Sequence, residues 1–224
     1  MIPTSKVQSP DTRGPHRQPL DATTLAQYET ILSFLEEVYQ TVSPYNYEGA
    51  EKESKGDVLI LNFTKVVSDC RAILLLSKNG LQIQAGIIAR STSDACHLMV
   101  HLAFAENPPQ ILSEWLQGKK ATHWLLLRNI QQHVGGRLHL EAYADERRRL
   151  DDFVHGNYEG IRLYPSQVGA ARISDEEWRG ITSWDGLLYL FLYSCLMVVD
   201  LISSKHAGKA SEYEKALIGN WTAT

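Results

Sequence analysis

Residues 82–105 read QIQAGIIARSTSDACHLMVHLAFA, and no alternation of apolar and polar residues fits them. Ile87, Ile88, Ala95, Leu98, Met99 and Leu102 recur at helical spacings, so the stretch is expected to form one long helix. It is apolar around much of its circumference, which marks it as a central element. Against that background, Arg90, Asp94, His97 and His101 stand at offsets of 0, 4, 7 and 11. At about 100° per residue they form a narrow polar stripe. Ionisable groups on an apolar helix need partners if they are buried. Arg90 and Asp94 have the i,i+4 spacing to satisfy each other. Arg90 and Asp94 are expected close to His155 in space, and were all three buried and paired, removing Asp94 would strand the guanidinium at a cost of about 3–5 kcal/mol. Two readings follow: a structural network within the core, or binding residues that face a polar cleft.

Helical signals continue on both sides. Leu25, Tyr28, Leu32, Leu35 and Tyr39 give an amphipathic helix over 22–42, followed by a loop from Pro44. A second helix is expected from Val58 to Ser77, closed by Asn79–Gly80, a pair suited to a left-handed C-terminal cap. Its first residues, VLILNF, also suit a strand, but they run on into helical spacing. Further helices are expected over 109–117, 120–133 and 138–154, then a structured loop over 156–173. Ser174 and the acids after it open a last major helix to 204, with a break at Gly186, and a short helix is expected over 211–218. No repeat and no glycine-rich phosphate loop is present. The expected fold is all-α: a single-domain helical bundle over 22–205, preceded by a disordered arm over 1–21 with four prolines, and followed by a tail over 206–224.

The 224 residues carry a net charge of -4, so no global basic footprint for nucleic acid exists, although Arg147, Arg148 and Arg149 form a local one. Cys70, Cys96 and Cys195 are widely spaced in apolar surroundings and are expected as buried free thiols in a reducing cytoplasm. No secretory signal is visible. The uncharged run 186–199 has 14 residues, short of the roughly 20 a membrane span needs. It is expected as a buried helix whose wide apolar surface also contributes to a homodimer interface.

The segment RRRLDDFVHG, Arg147–Gly156, holds a guanidinium and an imidazole at Arg149 and His155, late in a helix. An arginine fork suits phosphate oxygens, and a histidine exchanges protons near neutral pH. Asp152, three residues before His155, has the spacing to orient the imidazole. Asp94-x-x-His97 and Asp152-x-x-His155 also form two acid-x-x-His pairs of the kind used by metal-binding bundles, and His97 and His101 have chelating spacing. Glu36, Glu37, Glu176, Glu177 and Asp200 are the candidates for the further acids such a site needs.

Arg149 to Gly156 resembles the Arg-x(4–6)-His motif of the HEPN superfamily, which also ends a helix and often runs into Gly. Leu150 departs from the polar residue usual after the arginine. Arg90-Ser91-Thr92-Ser93-Asp94 with Val154-His155-Gly156 is also similar to a group of bacterial helical proteins with an Arg-Ser-x-x-acid helix and a late His-bearing helix. The first resemblance implies a helical bundle, often dimeric, of the kind found among bacterial toxins and phage-defence factors, with RNA as substrate and a cognate antitoxin or other protein as partner. It implies cleavage with no metal or other cofactor: Arg149 on the scissile phosphate, His155 moving the proton and Asp152 orienting it.

Overall fold

The computed structural model describes residues 22–42, 55–104, 108–119, 151 and 185–221. The described residues form six α-helices and no strand, which makes the protein all-α. They are α1 (Ala22–Val42), α2 (Lys55–Lys78), α3 (Gln82–Phe104), α4 (Pro108–Leu116), α5 (Asp185–Ile202) and α6 (Ala207–Trp221), with a 3₁₀ turn (Ser204–His206) between the last two. The expected arm over 1–21, the helices over 120–133 and most of 138–154, and the loop over 156–173 lie outside the described residues.

Each boundary has a local cause. VLILNF is the first part of α2 and not a strand, because Phe63, Val66, Val67, Cys70, Ile73 and Leu74 continue it at helical spacing and all are buried. The buried Asn62 amide donates to the Val58 carbonyl at 2.8 Å, so it is satisfied within its own helix. α2 ends at Asn79–Gly80 as its composition requires. Gly80 has φ 75°, its N–H donates to the Ser77 carbonyl, and the Leu81 N–H reaches back to Leu76 at 2.9 Å. The α2–α3 turn is therefore short, and the two helices pack along their length.

α5 touches α1, α2, α3 and α6, as many helices as α2 does. Leu187, Leu188, Leu190, Phe191, Leu192, Tyr193, Cys195, Leu196, Val198 and Val199 are all buried within the chain. Most of its apolar circumference is thus covered within the chain, while Leu201 near its end is exposed. Burial of such side chains is worth roughly 1.5–3 kcal/mol each. The expected centrality of α3 holds in part: α3 packs on α2, α4 and α5, and α5 shares the centre with it. α1 meets α2 through apolar residues and two ion pairs. Arg71 donates from Nε and Nη2 to both Glu36 oxygens at 2.8 Å each, and Lys78 pairs with Glu29.

The C-terminal helix is longer than the expected 211–218. It runs from Ala207 to Trp221, and Ala210 and Leu217 enter the core. Composition hides this, because α6 is mostly polar and only a thin apolar edge touches α5. Among the described residues, no helix is long and apolar enough to cross a membrane.

Candidate functional site

The polar stripe of α3 divides in two. Toward its C-terminal end, His97 and His101 are buried, with relative exposures of 0% and 2%. Burial lowers the His101 pKa from its ordinary value, because a charged imidazole loses its hydration there. Toward the N-terminal end the stripe emerges. The Asp94 side chain is 58% exposed, and Arg90 lies beneath it at 16%.

Arg90 reaches from α3 to Asp151, which stands in the sequence between Arg149 and His155. Its Nη1 donates to Asp94 Oδ2 at 2.6 Å, and its Nε donates to Asp151 Oδ1. Burial pulls the Arg90 pKa down, but the bonds from Asp151 and Asp94 outweigh that, and the net shift is upward. The guanidinium therefore stays charged, held between two carboxylates. Beside it the buried Thr92 hydroxyl lies 2.8 Å from the Ile88 carbonyl and 3.0 Å from Asp69 Oδ2 on α2. Thr92 thus fixes the rotation of α3 on α2, and with it the direction in which Arg90 leaves the helix.

Among the seven candidate residues on α3 and in the motif, the structure brings Arg90 and Asp94 together and buries His97 and His101. Arg149, Asp152 and His155 lie outside the described residues. Sequence reasoning passed over Asp151 in favour of Asp152. The available signal was the need of a half-buried arginine for a second acid, but spacing alone does not say which of two adjacent aspartates turns toward it.

No family model, curated protein or solved structure matches this chain.

The metal reading finds no support in the acids it named on α1. Both oxygens of Glu36 accept from Arg71, and Glu37 faces Lys209 and His206 at 3.9 and 3.8 Å. Among the described residues, no group of three or more histidine, cysteine or carboxylate side chains is placed to hold a metal ion. Asp152 and His155, which that reading also needs, are not among them.

A second polar cluster went unnoticed in the sequence. Ser203 Oγ lies 2.7 Å from His206 Nδ1, and His206 Nε2 lies 3.8 Å from Glu37 Oε1. Serine, histidine and an acid in that order suggest a nucleophile relay. The geometry does not complete one, since 3.8 Å exceeds hydrogen-bond length and the Ser203–His206 contact spans a single turn. The cluster instead fastens the start of α6 to α1. Lys209 Nζ reinforces it, 5.1 Å above the Phe34 ring.

Proposed function

We propose that this chain is a HEPN-like module that cleaves RNA without a metal, as part of a bacterial toxin or phage-defence system. The observation that supports this best is the bond between Arg90 on α3 and Asp151, which stands in the sequence between Arg149 and His155. In the proposed reaction Arg149 binds the scissile phosphate and stabilises the charge that builds on it. His155 takes the proton of the ribose 2′-hydroxyl as that oxygen attacks phosphorus, and the leaving 5′-oxygen takes a proton from water as its bond to phosphorus breaks. The product is a 2′,3′-cyclic phosphate, and Asp152 holds the imidazole in orientation. Pairing of two copies is part of this proposal and rests on the resemblance.

The test is cleavage of RNA by wild type, His155→Ala and Arg149→Ala with a chelator present. The expected result is chelator-resistant cleavage, cyclic-phosphate ends and a loss of about 10²–10⁴-fold in each variant. Chelator-sensitive cleavage would favour the Asp-x-x-His metal reading instead.

A second reading is a non-catalytic helical interaction protein whose polar stripe is structural. Two observations favour it: His97 and His101 are buried, and Arg90 is already held by two carboxylates. Absence of cleavage on any RNA, with folded protein and cognate cell extract, would select this reading.

A further inference from the structure

α6 is attached to the bundle more lightly than α1. Over its 21 residues α1 buries Tyr28, Ile31, Leu32, Phe34, Leu35 and Val38. Over its 15 residues α6 buries Ala210 and Leu217, with Tyr213 and Ile218 partly covered. Ala210 and Leu217 stand seven positions apart, so they make one narrow line along the helix. Gly208, Lys209, Ser211, Glu212, Lys215 and Ala216 are all exposed, so the other sides of α6 face solvent. The charged ties to α1 add little. One carboxylate, Glu37, serves both His206 Nε2 and Lys209 Nζ, at 3.8 and 3.9 Å, and each distance exceeds hydrogen-bond length. Glu37 and Lys209 are 57% and 52% exposed, where an ion pair is worth little. α5 and α6 are also not one continuous rod. The Ser203 N–H donates back to the Val199 carbonyl at 2.8 Å, and the chain then turns through the 3₁₀ residues Ser204–His206 before α6 begins.

We infer that α6 is a strap that opens on its own, hinged at Ser203–His206, while α1, α2, α3 and α5 stay packed. The inference is independent of the RNA-cleaving reading. Phe34 on α1 shows what the strap covers. Its ring lies 5.0 Å from that of Tyr213 and 6.1 Å from that of His206, and Lys209 Nζ stands 5.1 Å above it. In the closed form Phe34 is 3% exposed. Opening removes all three neighbours and presents the ring to solvent. A helix of this length is marginal in water without the surface it packs on, so the released strap melts. Its amides then exchange with solvent, which makes the opening measurable. Closure depends on the apolar line of Ala210 and Leu217, and the Glu37 contacts only steady its first turn.

The experiment is amide hydrogen exchange of the full-length chain at fixed pH in a series of low denaturant concentrations. Relative to their intrinsic rates, amides over 207–218 are expected to exchange on the order of 10²-fold faster than the slowest amides of α2 and α3. Their opening is expected to depend weakly on denaturant, because lifting one helix exposes little surface, whereas opening of α2 and α3 depends on it steeply. Two variants then separate the contacts that hold the strap. Leu217→Ala is expected to speed exchange over 207–218 on the order of 10²-fold. Glu37→Gln is expected to speed it by no more than about fivefold. Equal protection of 207–218 and α3 in the wild type, with the same denaturant slope, would overturn the inference, since α6 would then open only with the whole molecule. That comparison needs no variant and stands even where Leu217→Ala fails to fold. Unchanged exchange in folded Leu217→Ala would also overturn it, as would a 10²-fold effect of Glu37→Gln, which would reveal a strong second anchor.

Discussion

Asp94 shows how exposure sets the worth of a charge. Its carboxylate bonds Arg90 at 2.6 Å, yet more than half of the side chain meets solvent. The buried-pair cost of about 3–5 kcal/mol applies where removal strands a charge, and here it does not: Arg90 keeps Asp151 as a partner, and water reaches the vacated position. Asp94→Ala is therefore expected to cost about 0–1 kcal/mol, as exposed ion pairs generally do. Urea denaturation of wild type and variant measures this. A loss above about 3 kcal/mol would mean that Asp94 is enclosed and that the stripe is buried throughout. The neighbouring Thr92 contributes differently, since its fully buried hydroxyl has acceptors on α3 and α2 and sets the rotation of one helix against the other.

Helix ends separate what glycine does in a turn from what it does inside a helix. α4 closes with the same arrangement as α2: Gly118 has φ 78°, its N–H donates to Trp115, and the Lys119 N–H donates to Glu114 at 2.9 Å. Nothing lies within 4 Å of the position an added Cβ would take at Gly118 or at Gly208. Any effect of alanine there is thus one of backbone conformation alone. Gly118→Ala is expected to destabilise by about 1–2 kcal/mol, because an L side chain disfavours the left-handed region. Gly208→Ala, within α6, is expected to stabilise by about 0.4–1 kcal/mol through the unfolded chain. Thermal midpoints that move the same way in both would contradict these backbone assignments. Periodicity made α1, α2 and α3 legible because each carries a wide apolar face: Tyr28, Leu32 and Leu35 on α1 are buried as their spacing requires. It foreshortened α6, where Ala210 and Leu217 are the buried apolar residues and Tyr213 and Ile218 only partly join them. The candidate site was less legible than the helices, for a different reason. Spacing locates a residue on its own helix, as it did for Arg90 and Asp94, but says nothing of what faces it across the bundle. Asp151 opposite Arg90, Arg71 opposite Glu36 and His206 opposite Glu37 are tertiary pairs with no local signature.

Three helices close the core of the molecule around its three cysteines. Cys70 comes from α2, Cys96 from α3 and Cys195 from α5, and none is exposed to solvent. Burial raises all three pKa values. Cys96, partly offset by a hydrogen bond with Ser194, is pushed up to about 12. Cys70 and Cys195 rise well above the ordinary range, chiefly through burial, with repulsion from neighbouring thiolates and, for Cys70, from Asp69 adding to it. The thiolate is the reactive form, so these sulfurs are protected twice, by protonation and by enclosure. A disulfide reagent at pH 8 is thus expected to leave all three unmodified while the protein is folded and to modify all three in denaturant. Intermediate denaturant makes the test sharper. If α2, α3 and α5 separate in one cooperative step, the three cysteines become reactive together, with one opening free energy equal to that of global unfolding. Mass spectrometry of partly labelled protein would then find unlabelled and triply labelled chains with few species between. Accumulation of chains labelled at Cys195 alone would show that α5 leaves before α2 and α3 part. That result would contradict a core in which α5 is held by four other helices at once.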